Sequence, residues 1–194
     1  EAIGGQPRLE LAASRLLSGL GGRHADTAFA LARSGFAGTT DFADALPALA
    51  QCHVFAGDFV TAHALYERCL DLAEPGSEYQ VYLLVLRCIA CLGSGDLAAL
   101  ARCRAELFAA KPATRVELGF VLSGPDTEPP AEVAAAFSGL GAAKQRLMAS
   151  HMERNARTFF RHPGHQSNFL RGYAAHACRL AGPEILPQAL RALV

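Results

Sequence analysis

Glycine- and proline-centred breaks cut this chain into stretches of about 10 to 18 residues, the ordinary length of globular helices. The breaks fall at Gly21-Gly22, residues 35–40, Gly57-Asp58, residues 74–77, Gly95-Asp96, Lys111-Pro112, residues 124–130, Pro163-Gly164 and Gly182-Pro183. Between them Ala, Leu and Arg dominate, and apolar residues recur at intervals of three and four, the spacing that puts them on one helical face. Strand-like alternation occurs only at residues 115–121. Helices of this length joined by short loops pack as antiparallel neighbours. The expected class is all-α.

A chain of 194 residues, 51% apolar and 19% charged, buries a real core and is excluded from the disordered class. Its greasiest stretch, residues 81–93, is too short to cross a bilayer and carries Arg87 in its middle. Six cysteines, at positions 52, 69, 88, 91, 103 and 178, are scattered through apolar helical patterns rather than along a loop-rich secreted frame. Reduced thiols in a cytoplasmic protein are the expectation.

The helices repeat. Thr27-Ala28-Phe29-Ala30-Leu31 returns as Thr61-Ala62-His63-Ala64-Leu65, displaced by 34 positions. Gly57-Asp58-Phe59, followed by Ala62, Tyr66, Cys69 and then Pro75, resembles the second half of a tetratricopeptide repeat. There a small residue after the turn lets two helices approach, an aromatic four residues on fills the gap, and a proline ends the second helix. A third copy can be laid on residues 84–112 with Leu100 or Ala101 at the small position. The resemblance covers roughly residues 9–112. It implies antiparallel helix pairs stacked as a short solenoid, with a concave face that binds a peptide or protein. The first helix of each pair would line that face, exposing Asp44, Pro47, Gln51, Val54 and Phe55, then Tyr82, Val85 and Ile89.

The expected organisation is a repeat region over residues 1–123, a polar, proline-rich linker at 124–130, and a helical cap or separate module over 131–194. Two amphipathic helices are predicted at about 142–161 and 166–181, with a short tail helix from Pro187. Arrays of repeats need polar terminal caps, and this region suits one. Charge divides at the same point. Residues 1–140 carry 10 Lys+Arg against 16 Asp+Glu, a net of −6, and residues 141–194 carry 8 against 2, a net of +6. Over residues 142–161, Met148, Met152, Ala156 and Phe159 share one arc of the wheel, and Arg146, Arg154, Arg157 and Arg161 another. Such a row either faces solvent or pairs with carboxylate or phosphate.

Two constellations carry chemistry worth testing. Cys88-Ile89-Ala90-Cys91 is the single CxxC, placed mid-helix rather than at a helix start, so packing is the simpler use. His162, His165 and His176, with Glu153, form the weak candidate for a metal or acid–base site. Their spacing matches neither HExxH nor a zinc finger, and the P-loop, dinucleotide and GxSxG signatures are missing. The expectation is therefore a scaffold that binds a protein or peptide, without cofactor, nucleic acid or membrane. The alternatives are an accessory subunit of a peptide- or protein-modifying complex, and an enzyme using the C-terminal His and Arg residues.

Overall fold

The computed structural model describes residues 7–19, 24–38 and 42–194, and every regular element among them is helical. In chain order these are α1 (Pro7–Gly19), α2 (Ala25–Ala37), α3 (Phe42–Ala56), α4 (Phe59–Leu72), α5 (Glu78–Ser94), α6 (Leu97–Ala110), α7 (Thr114–Leu118), α8 (Ala131–Ser138), α9 (Ala142–Phe159), α10 (Pro163–Ala181) and α11 (Gln188–Arg191). The segment that alternates like a strand, 115–121, is the short helix α7 and the turns after it. With Pro112 before it and Gly124-Pro125 behind, it has no neighbour to pair with, and a lone strand cannot satisfy its backbone.

Breaks in the sequence become helix ends because their polar residues cap. The Asp58 carboxylate accepts from Thr61 N at 3.2 Å, and that of Asp96 accepts from Ala99 N at 2.8 Å, starting α4 and α6. Ser77 Oγ accepts from Gln80 N at 3.1 Å and starts α5.

Each of the first six helices packs on the next, α1 on α2 through α5 on α6. Small buried residues make the close approaches: Ala28 on α2 and Ala62 on α4 occupy corresponding places in the repeated five-residue segment. Of the two candidate positions on α6, Leu100 is buried and Ala101 exposed.

The C-terminal helices fold back onto this row. Both α9 and α10 contact the odd-numbered helices, α9 on α3 and α10 on α5, and one apolar cluster runs from Ala32 to Leu190. This surrounds α5, in which Val81, Leu83, Leu84, Leu86 and every residue from Cys88 to Gly93 are buried. The 124–130 segment is tied down as well. Gly124 O accepts from His176 Nε2, and the Glu128 carboxylate takes both arms of the Arg179 guanidinium. Among the described residues no helix is long and apolar enough to cross a membrane.

Candidate functional site

Three of the residues expected on an exposed partner-binding face are buried, and three more are half-buried. Val54 and Ile89 belong to the core, at 1% and 7% exposure, and Pro47 is buried too. The cause is the return of α9 and α10 over α3 and α5, which covers the side that the first helix of each pair would otherwise present. Val85 is half-buried and packs against the same core. Gln51 is half-buried, its Oε1 accepting from Tyr66 OH at 3.2 Å. Phe55 is half-buried, and its carbonyl accepts from Arg161 N at 2.9 Å. Tyr82 stands out from α5 at 53% exposure. The side chain of Asp44 lies outside the described residues.

The arginine row is built on α9. Gln145, Ala149, Met152 and Ala156, one residue per turn, are the buried stripe of that helix. Leu147, His151 and Arg154 lie on the opposite side and Arg146 on its flank, all exposed, with Leu147 at 57%. Arg157, also exposed, pairs with Glu153 one turn earlier. Arg161 lies past the helix end, where its guanidinium meets Asp26 of α2 at 3.0 Å. The row therefore divides: Arg157 and Arg161 have carboxylate partners, whereas Arg146 and Arg154 make no ion pair among the described residues.

The histidines divide too. His162 is the N-cap of α10 and His165 lies in its first turn, with their rings 5.4 Å apart and perpendicular. Both press on the α3–α4 turn. A Cβ added to Gly57 would sit 2.5 Å from His165 Cε1 and 3.4 Å from His162 Cδ2, so this contact needs glycine. The His165 ring also stands edge-on to Phe59 at 4.8 Å. His176 is three turns further along α10 and takes no part. Its Nδ1 accepts from Arg179 at 3.1 Å, so Nε2 carries the proton and donates to Gly124 O. His176 is thus a buried residue with both ring nitrogens hydrogen-bonded, and it anchors the 124–130 segment. Among the described residues no group of three or more His, Cys, Asp or Glu side chains is arranged to hold a metal ion.

No protein-family model, curated protein or solved structure matches the chain. Its functional reading therefore rests on its own surfaces.

Burial, and then the neighbouring His162, hold the pKa of His165 below the ordinary histidine value of 6.5, and its Nδ1 is buried without a hydrogen-bond partner. A folded-state value below the unfolded one means the unfolded chain takes up this proton more readily. Stability from this group is present above pH ~6.5 and is lost as pH falls below it. The thermal midpoint is expected to drop between about pH 7 and pH 5, and His165→Phe, which keeps a ring against Phe59, should flatten that drop. Equal slopes for the two proteins in thermal melts across this range would remove His165 as the cause.

Sequence reasoning missed one grouping. Cys103 of α6 and His63 of α4 join the CxxC of α5: Cys91 Sγ lies 3.8 Å from Cys103 Sγ and 3.9 Å from His63 Nε2. The signal was the Gly95-Asp96 turn, which folds α6 back on α5 and places the inward cysteines of both helices in one layer.

Proposed function

We propose that the chain is a non-enzymatic, tetratricopeptide-like scaffold that docks an acidic segment of a protein partner on the outward face of α9. The observation that carries this reading is the exposure of Arg146 and Arg154 beside Leu147, on a helix whose opposite stripe is buried. Two guanidiniums that make no ion pair among the described residues favour carboxylates in forked geometry, and a projecting leucine adds apolar area that water would otherwise cover. Head-to-tail packing of α1 to α6 supports the repeat reading, as does the shared role of Ala28 and Ala62. The return of α9 and α10 over α3 and α5 moves the docking face outward onto α9.

The probe is a labelled helical peptide with glutamates flanking leucines at intervals of three and four. Wild-type protein is expected to bind it with an affinity that weakens as salt rises, because rim charges are screened. The double variant Arg146→Glu, Arg154→Glu should bind at least about tenfold more weakly, a loss of about 1.4 kcal/mol, while its own stability changes by less than about 0.5 kcal/mol. Equal anisotropy titrations for the two proteins would refute the α9 face. Affinity copurification with wild type and variant in parallel then identifies partners retained only by the basic face.

A further inference from the structure

Cys91 and Cys103 face each other across the α5–α6 pair, Sγ to Sγ at 3.8 Å, with the half-buried His63 against the Cys91 sulfur. Their positions are fixed from both sides. Gly95 ends α5 in a left-handed conformation, its N–H bonded back to the carbonyls of Cys91 and Leu92, and Asp96 caps α6. A disulfide needs its sulfurs at about 2.05 Å, and these two thiols already lie in van der Waals contact.

The geometry points to a reactive dithiol at Cys91 and Cys103 that is oxidised to an intramolecular disulfide by a small-molecule disulfide of the glutathione class. Polarisation of the pair supports the site. The sulfur–sulfur hydrogen bond holds the Cys103 thiol below its usual value and the Cys91 thiol above it, and the Arg87 guanidinium draws both down. Cys103 is therefore the attacking thiolate. It bonds to one sulfur of the small disulfide, breaks that S–S bond and expels one thiolate, leaving a mixed disulfide on Cys103. Burial, and then Arg87, hold His63 below the ordinary histidine value, and its Nε2 lies 3.9 Å from the Cys91 sulfur, within reach of that thiol's proton. The Cys91 thiolate then attacks the Cys103 sulfur and expels the second small thiolate. The protein gives up two protons and two electrons, and the small disulfide leaves as two thiols. Both sulfurs are covered in the folded chain, at 0% and 2% exposure, so the small disulfide reaches Cys103 through local opening of the α5–α6 pair.

The test uses the folded full chain and glutathione disulfide, followed by acid quench, alkylation in denaturant and peptide mass spectrometry. Two of the six thiols should be lost to alkylation, recovered as a Cys91–Cys103 linked peptide, with Cys52, Cys69, Cys88 and Cys178 still alkylated. The thermal midpoint should rise on oxidation, because the link closes a loop in the unfolded chain. Cys91→Ser removes the second thiolate, so glutathione should remain on Cys103 as a stable adduct. Alkylation of both Cys91 and Cys103 after treatment of wild type overturns the proposal, and so does a link or adduct confined to other cysteines. The wild-type result stands whether or not the variant folds.

Discussion

Gly172→Ala is expected to destabilise the protein by ~3 kcal/mol or more, although the same change inside an ordinary helix stabilises by about 1 kcal/mol. The reversal comes from one close approach. Gly172 is buried in the middle of α10, and a Cβ there would overlap the Ser123 carbonyl oxygen and lie 2.9 Å from the Gly124 carbonyl carbon. Backbone meets backbone, so no flexible side chain can give way. Relief requires α10 to move off the 123–124 segment, which strains the His176–Gly124 hydrogen bond and the Glu128–Arg179 fork next to it. Urea unfolding of wild type and variant measures the difference. A change within about 0.5 kcal/mol, the range of an inconsequential surface substitution, would show that α10 does not pack at this distance.

Phe160→Ala is expected to cost ~3–5 kcal/mol. Its ring is fully buried where α9 ends, among Phe59, Phe159 and Phe169 at centroid distances of 6.3, 6.2 and 5.6 Å. It lies directly over Gly93 of α5, where a side chain would collide with it. Truncation opens a cavity bounded by α4, α5 and α10, none of which can collapse into it without disturbing the others. Typical domains are stable by only 5–15 kcal/mol in all, so the variant is expected to be partly unfolded at physiological temperature. Phe160→Leu, which keeps most of the volume, should recover much of the loss in the same thermal melts. Identical melting of the alanine variant and wild type would remove this ring from its supposed central role.

Elements written in local chemistry were legible from the sequence. Asp58, Ser77 and Asp96 cap where the breaks predicted helix starts. The helices expected at 142–161 and 166–181 are α9 and α10, within a few residues at each end. Of the apolar arc that periodicity placed on α9, Met152 and Ala156 are buried and Met148 and Phe159 half-buried, while Gln145 and Ala149 complete the buried stripe. What periodicity could not supply was which outward faces a later helix would cover. Val54 and Ile89 lie on apolar helices where either burial or exposure fits the pattern, and the answer depends on helices that come roughly seventy to a hundred positions later in the chain. The same holds for the histidines. His162, His165 and His176 are near in sequence, yet helical rise along α10 parts the third from the other two. Two are set against the α3–α4 turn, and the third is bound into the 124–130 segment.

Stacked helix pairs in which each unit touches only its neighbours behave as one-dimensional arrays, free to fray from either end and tolerant of losing a unit. Here Asn168 of α10 donates to the Gly93 carbonyl of α5, and Arg161 bonds both Phe55 O on α3 and Asp26 on α2. These cross-links join the last third of the chain to its first half and turn a sequential row into a closed circuit. Unfolding one pair would pull on α10, and through it on the pairs beside it. The loss of one unit is then felt by all, so the chain melts as a single cooperative body rather than unzipping. Its folding must also wait for contacts distant in sequence, which places it among slower helical proteins than its local helices alone would suggest.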